Sequence, residues 1–164
     1  MSRQFVIDSL VFAREAGSLH GELPIAALAR ALDLLADSSG CLAYRVEGRV
    51  STRNRSQLLV QIKGVLSLCC PRCLEGVTYP IAIHSLLEFV DNDDNLTQDE
   101  IEDDSRDYLV EQKELDVAAL IEDEIILSLP SMLCHESCAM PEAKQGSASV
   151  SPFSSLTGLR DKAP

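Results

Sequence analysis

Six cysteines are the residues of this sequence with the clearest capacity for chemistry, and four of them fall in two short clusters. The first cluster contains Cys70 and Cys73, a pair of thiols with two residues between them. The second cluster lies roughly sixty residues later and contains Cys134, His135 and Cys138. Structural zinc is held in proteins by four Cys or His side chains, and two thiolates at this spacing grip one tetrahedral ion from a tight turn. The pattern therefore predicts a structural zinc site.

The spacing leaves the ligand set open. Cys70, Cys73 and Cys138 are three candidates, and the fourth is either Cys134 or His135 because adjacent side chains diverge. Two other interpretations compete with zinc: unligated thiols, or a thiol oxidoreductase that uses Cys70 and Cys73. The redox chemistry favours a pair at a helix N-terminus, where the pKa of a thiol is lowered, whereas strand-like sequence flanks this pair.

Length and composition indicate one domain with an aliphatic core. The chain has 164 residues, of which 46% are hydrophobic and only 4% aromatic. No apolar run is long enough to cross a membrane, and residues 1–12 lack the pattern of a secretory signal. We therefore expect a cytoplasmic protein without membrane contact, in which cysteines do not form disulfides.

The charge is distributed unevenly. Residues 1–90 carry nine Lys/Arg and eight Asp/Glu, whereas residues 91–164 carry five and eighteen, within a net charge of -12. Nucleic-acid phosphates repel so acidic a chain, which is unlike a generic nucleic-acid binder. Partners with basic surfaces are attracted to it.

The first forty residues are expected to contain one helix. Residues 3–12 are typical of a strand followed by a loop. Pro24 is suited to the first helical position, and residues 25–35 place apolar side chains at helical spacing until Ser38, Ser39 and Gly40 end the pattern.

Three segments then alternate apolar and polar residues, as strands of an antiparallel meander do. They are residues 42–50, 58–69 and 77–90. Gly64 indicates a bulge, and Pro80 indicates an edge strand or a bulge.

The last third is predicted to hold a loop, a helix and a tail. Residues 91–107 contain nine carboxylates and one arginine, which predicts a solvated, mobile loop, and residues 108–110 are suited to a short strand. Asp116 occupies an N-cap position before an apolar stripe that Pro130 ends. The expected fold is α+β: an antiparallel β meander with a packed C-terminal helix and one N-terminal helix. A single domain spans residues 1–138, and residues 139–164 form a flexible tail with a short docking-type segment.

Two further groups of charged residues are weaker candidates. A set of cations in the meander forms a basic patch for RNA phosphates if its members share a face, although a solvated face without aromatic residues is favoured. Consecutive carboxylates in the second helix point about 100° apart, so a solvated helix face is expected there. No role is assigned to His20 or His84, and no catalytic motif is recognised. The cations are Arg45, Arg49, Arg53, Arg55, Lys63 and Arg72, and the carboxylates are Glu122, Asp123 and Glu124.

Several motifs in chain order resemble the YceD family of large ribosomal RNA subunit accumulation proteins. They are Cys70-x-Arg72-Cys73-Leu74 after the meander, then the acidic helix from Leu115 to Pro130, then His135 and Cys138, and finally Pro152-Phe153-x-x-Leu156-x-x-Leu159. The resemblance covers the chain from the first cysteine pair to the tail, and the acidic helix with its Leu-Pro ending is its most specific part. Ser151 stands where family members more often have Asn.

The resemblance implies a non-enzymatic bacterial protein that supports synthesis, processing or stability of 23S ribosomal RNA and biogenesis of the large subunit. It favours Cys70, Cys73, His135 and Cys138 as the paired cluster. The implied partners are a large-subunit ribosomal protein or assembly factor with a basic surface, and 23S rRNA, contacted directly or indirectly; no small-molecule substrate is implied. The acidic loop of residues 91–107 and the acidic helix (Glu122, Asp123 and Glu124) would engage the partner. The tail segment containing Phe153, Leu156 and Leu159 would either dock on the partner or fold onto the core. The alternatives are the thiol oxidoreductase and a zinc-stapled interaction module unrelated to ribosomes.

Overall fold

The computed structural model describes residues 6–91, 97 and 105–138. Its fold is α+β, as predicted: a six-stranded sheet carries two helices on one face, and a two-stranded ribbon lies beside it. The expected acidic loop lies largely outside the described residues, and the expected tail lies wholly outside them. The elements in chain order are β1 Val6–Ile7, α1 Ser9–Arg14, β2 Ser18–Pro24, β3 Leu35–Asp37, β4 Cys41–Val50, β5 Ser56–Cys69, β6 Gly76–Val90, β7 Asp107–Val110, β8 Leu115–Asp116 and α2 Val117–Ser128.

The predicted meander forms the centre of the sheet. Strands β4, β5 and β6 pair antiparallel in sequence order, and the sheet runs β2-β4-β5-β6-β7 with β3 also paired to β5. The bulge expected at Gly64 is wrong, because Gly64 pairs in unbroken register with Ile81. A Cβ at position 64 would collide with the Leu42 side chain, so glycine is needed there to let Leu42 pack against the β5 backbone.

The sheet has two unlike faces. The inner face carries the aliphatic core, in which Leu42, Val46, Val60 and Ile62 are fully buried. The outer face carries the alternate residues of the same strands, such as the exposed Lys63. Alternation of side chains along each strand separates the two sets, which is how one face packs while the other meets water.

The helix predicted to follow Pro24 is wrong. Pro24 ends β2, and the next residues form two short 3₁₀ turns, Ile25–Ala27 and Leu32–Leu34. The N–H groups of Arg30 and Ala31 donate to the Glu122 carboxylate at 2.6 and 3.3 Å. This contact between remote residues replaces the regular helical hydrogen bonding that the local pattern predicted.

The N-terminal helix lies earlier, where a loop was expected. Asp8 caps α1 by accepting from the N–H groups of Leu10 and Val11. The helix packs on the inner face so closely that a Cβ at Gly48 would lie 2.8 Å from the Cα of Ala13. Gly48 is therefore required by the docking of α1.

Helix α2 begins and ends as predicted. The Asp116 side chain accepts from the N–H groups of Ala118 and Ala119, and Pro130 follows just after the helix end. The expectation of a solvated acidic face is wrong for two of its three residues, because Glu122 and Glu124 are each only 7% exposed. Asp123 lies on the exposed side.

The short strand expected near residue 108 is confirmed as β7, and it pairs parallel with the last four residues of β6. Because β7 covers only residues 87–90 of β6, Pro80 lies along a part of β6 that is paired with β5 alone among the described strands. This fits the edge position predicted for Pro80. Within the described residues, no helix has the length and apolar character needed to cross a membrane.

Candidate metal centre

The first half of the site is the turn between β5 and β6. The N–H of Cys70 donates to the Glu75 carbonyl at 2.9 Å, and the N–H of Leu74 donates to the Cys70 carbonyl at 2.8 Å. Leu74 adopts a left-handed conformation with φ of 64°, which closes the turn. Cys70 is fully buried and Cys73 is half-buried. The turn therefore holds two thiols at one end of the sheet.

The second half is the segment that follows α2. Leu133 packs against the core, and the chain then passes the β5–β6 turn through residues 134–138. His135 Nε2 lies 3.2 Å from the Gly76 carbonyl oxygen, and the Arg72 guanidinium donates to the Cys138 carbonyl at 3.5 Å. These two contacts hold the segment against the turn.

Four donor atoms converge where the halves meet. The ligand atoms of Cys70, Cys73, His135 and Cys138 all lie within 4.8 Å of one another. The Cys70 and Cys138 sulfurs are 3.8 Å apart, and the Cys73 sulfur is 3.4 Å from His135 Nδ1. Zn–S bonds of about 2.3 Å and Zn–N bonds of about 2.0 Å at tetrahedral angles require S–S and S–N separations of about 3.8 and 3.5 Å. These two separations match one tetrahedral ion, and the other donor pairs lie within 4.8 Å.

The electrostatics of the cluster match a site for a cation. The Cys73 backbone N–H is the main cause that lowers the pKa of Cys70 to about 5. The Glu75 N–H lowers the pKa of Cys73, but desolvation and the sulfurs of Cys70 and Cys138 outweigh it, so the net shift is upward. Contact with Cys70 raises the pKa of His135. Several anionic sulfurs in one place oppose each other's ionisation, and a divalent ion removes that repulsion.

His135 orientation is suited to ligation. With its proton on Nε2 the ring donates to the Gly76 carbonyl, and Nδ1 faces the Cys73 sulfur. A hydrogen bond on the remote ring nitrogen fixes the tautomer of a metal-binding His. His135, rather than Cys134, supplies the fourth donor of the group.

The remaining thiols differ from one another. Burial is the main cause that raises the pKa of Cys134, and contact with Cys70 adds to it. Cys69 is half-exposed, and its sulfur lies 3.7 Å from the Leu74 carbonyl oxygen. Cys41, at the start of β4, is exposed.

The six cations proposed for RNA contact do not form one patch. Arg45, Arg49 and Lys63 are exposed, and the strand register places them on the outer face. Arg55 pairs with Glu88 at 3.1 Å, and Arg53 lies in the β4–β5 turn. Arg72 lies beside the donor cluster and donates to the Cys138 carbonyl. It therefore holds the two halves of the cluster together, a role that the sequence did not indicate.

The proposed partner-binding carboxylates are largely committed within the fold. Glu122 accepts from the Arg30 guanidinium at 3.0 Å, and Asp123 accepts from it at 2.6 Å. Desolvation is the main cause that raises the pKa of the buried Glu124. The tail residues Phe153, Leu156 and Leu159 lie outside the described residues.

A second charged network was missed by sequence reasoning. Glu88 is fully buried on the outer face, where it accepts from Gln57 at 2.5 Å and pairs with Arg55 at 3.1 Å and Arg106 at 3.5 Å. The apolar run around it predicted only a strand. The only sequence signal for this network was that Glu88 falls on the same face of β6 as the polar His84.

Comparison with known proteins supports the resemblance seen in the motifs. Residues 58–159 match the family described as Large ribosomal RNA subunit accumulation protein YceD. This match includes both halves of the donor cluster, the meander from β5 onward and α2. No curated protein and no solved structure matches the chain. Since the matched residues make up more than half of the sequence, the chain belongs to the YceD family of large ribosomal RNA subunit accumulation proteins.

Proposed function

We propose that this protein is a non-enzymatic factor that supports accumulation of 23S ribosomal RNA by binding to assembling large subunits, and that a structural zinc ion clips its C-terminal segment to the sheet. The family match over residues 58–159 carries the ribosomal part of the proposal. Such a factor would act on the synthesis, the processing or the stability of the RNA. The expected partner is a large-subunit ribosomal protein or assembly factor with a basic surface, because the chain carries a net charge of -12.

The zinc part rests on the geometry of the four donors. Three sulfurs and one imidazole nitrogen lie within 4.8 Å of one another. A Cys₃His set with no open position is the arrangement of structural zinc, whereas catalytic zinc keeps one position for water. An ion there would tie residues 70–73 to residues 135–138, so its role is to fix the segment that follows α2 against the β5–β6 turn.

Metal analysis of the purified chain tests the clip. We expect one zinc per chain in the parent, and loss of the ion in both Cys73→Ser and Cys138→Ser, because each removes one of the four donors. Cys41→Ser is the matched control, since Cys41 is exposed and lies outside the donor group. Retention of a full equivalent of zinc in Cys73→Ser and Cys138→Ser would show that the two halves do not share an ion.

Co-sedimentation tests the ribosomal part. The tagged full chain is expected to migrate with large-subunit precursor particles in a sucrose gradient at low salt, and less so at high salt, because charge drives part of the contact. Absence of the chain from particle fractions at every salt concentration would refute the ribosomal role.

A thiol oxidoreductase is the second candidate, and the pKa of Cys70 near 5 is the observation that favours it. A thiolate at neutral pH is a nucleophile as well as a metal ligand. The pair, however, lies in a β turn, with Cys70 buried. Thiol alkylation of the purified chain separates the two: a zinc site protects Cys70 and Cys73 until a chelator is added, whereas a redox pair reacts at once.

A further inference from the structure

A row of hydrogen-bonding side chains crosses four strands of the outer face. His20, Arg45, Gln61 and His84 lie opposite one another in register from β2 to β6. Lys63 lies one step further along β5, diagonal to Arg45. Side chains directly opposite on neighbouring strands lie about 5 Å apart, and diagonal ones about 7–8 Å apart. These five residues therefore form one continuous polar surface.

The cations of this surface extend along β4. Arg49 follows Arg45 on the same face at four residues' distance, which is about 14 Å along a strand. Arg49 donates to the neutral amide of Gln57 at 3.1 Å, so this contact leaves its positive charge uncompensated. Lys63 is exposed. Together Lys63, Arg45 and Arg49 make a cationic stripe about 20 Å long.

The carboxylates on this part of the face offset the stripe only in part. Glu88 is fully buried and is neutralised by Arg55 and Arg106. Glu47 pairs with Arg45 at 2.5 Å, which neutralises the central cation of the stripe. Glu22 is exposed on the same face in the edge strand β2, opposite Ala43. The three cations and these two carboxylates leave a local excess of one positive charge, and Lys63 and Arg49 are the cations of the stripe outside the Arg45–Glu47 pair.

The chemistry of the face selects the kind of ligand. Between residues 18 and 88 its outward positions in β2, β4, β5 and β6 hold no phenylalanine or tyrosine, so a platform for stacking unpaired bases is missing. Among the described residues both helices pack on the inner face, so neither helix covers the outer face. Double-stranded RNA is recognised by shape and by contacts to phosphates and 2′-hydroxyls, which cationic, amide and imidazole groups supply.

We propose that the outer face of the sheet binds the sugar–phosphate backbone of double-helical RNA, with Lys63 and Arg49 on the phosphates and Arg45, His20, Gln61 and His84 as hydrogen-bonding neighbours. The inference rests on the proposed function in taking the RNA to be ribosomal. It goes beyond that function by making the contact direct and by assigning its surface. The contact is expected to be independent of sequence, because the deep, narrow major groove of double-helical RNA keeps its base edges out of reach of side chains.

Binding of a 20-base-pair RNA duplex of arbitrary sequence to the full chain, followed by fluorescence anisotropy from 50 to 200 mM KCl, tests the proposal. We expect Lys63→Glu and Arg49→Glu each to weaken binding about tenfold at the lowest salt and to reduce the slope of log affinity against log salt by about one. Lys113→Glu is the matched control: it makes the same charge change at an exposed lysine between β7 and β8. A change of less than about twofold is expected there, because salt screens distant charges.

Three results would overturn the proposal. The first is no duplex binding by the parent at 50 mM KCl. The second is an equal effect of Lys63→Glu and Lys113→Glu, with circular dichroism showing all variants folded. The third is competition by polyglutamate as strong as by RNA, which would assign the face to acidic proteins. Lys63→Glu could weaken duplex binding no more than Lys113→Glu while the parent still co-sediments with precursor particles. That result would support the ribosomal role and refute RNA binding by the outer face.

Discussion

Replacement of Glu122 by Ala gives a sharp test of whether the acidic helix is a partner surface or part of the fold. The Glu122 carboxylate accepts from the Arg30 N–H at 2.6 Å and from the Ala31 N–H at 3.3 Å. Ala31 also donates to the Leu28 carbonyl at 3.2 Å, so only the Arg30 N–H loses its acceptor outright. A backbone donor left without a partner costs about 1–3 kcal/mol. The half-exposed Arg30 guanidinium adds little, because water screens its ion pair.

We therefore expect Glu122→Ala to lower the free energy of unfolding by about 2 kcal/mol, measured by urea denaturation of the full chain with circular dichroism. Glu122→Gln retains an oxygen acceptor and should cost less than half of that. Asp123→Ala, at an exposed neighbouring position, is the control and should stay within about 0.5 kcal/mol of the parent. A loss of less than about 0.5 kcal/mol for Glu122→Ala would refute a structural role for Glu122.

Three further predictions concern burial, packing and metal. Glu124→Gln should be more stable than the parent at pH 7, because burial raises the pKa of Glu124 above 4.5 and the ionised carboxylate then opposes folding. In denaturation curves this difference in stability should vanish as the pH falls below 4.5. A difference that stays constant with pH would contradict the burial effect. Gly48→Ala should lower the free energy of unfolding by about 3 kcal/mol, because a Cβ there meets the backbone of α1 at Phe12; a change under 0.5 kcal/mol in urea denaturation would show that α1 packs elsewhere. Chelation should lower the melting temperature of the zinc-loaded parent by about 10 °C, which corresponds to about 4 kcal/mol for an ion present at a thousand times its dissociation constant. Scanning calorimetry should show no such change on chelation of Cys138→Ser. An equal change in the parent and in Cys138→Ser would argue against the clip.

The elements with a simple period were predictable from the sequence. Strands β4, β5 and β6 each alternate with a period of two, and one apolar face against a polar one is sufficient to define them. Helix α2 carries both a capping Asp116 and a terminating Pro130. In each case the local signal and the tertiary environment agree, so the sequence pattern and the structure coincide.

The failures have a common physical origin in contacts between remote residues. Residues 25–35 have helical spacing, but two of their N–H groups bind Glu122 on α2, some ninety residues away. Glu122 and Glu88 can be buried because each accepts hydrogen bonds from a guanidinium group, and Glu122 also from backbone N–H groups. These donors lie far from the carboxylates in the sequence, so a local sequence pattern does not reveal them. For the same reason the spacing alone did not choose between Cys134 and His135: the choice depends on which side chain faces the turn at Cys73.

The separation of the two halves of the donor cluster along the chain has a consequence for biosynthesis. Cys73 leaves the ribosome about sixty residues before His135, which at 5–20 residues per second is an interval of roughly 3–12 s. During that interval strands β4 to β6, whose pairing is local, are complete while the nascent polypeptide offers an ion only two sulfurs. With the proposed zinc clip, metal loading would be the last step of maturation, and a shortage of zinc would leave chains with an intact sheet and residues 134–138 unfastened from the β5–β6 turn.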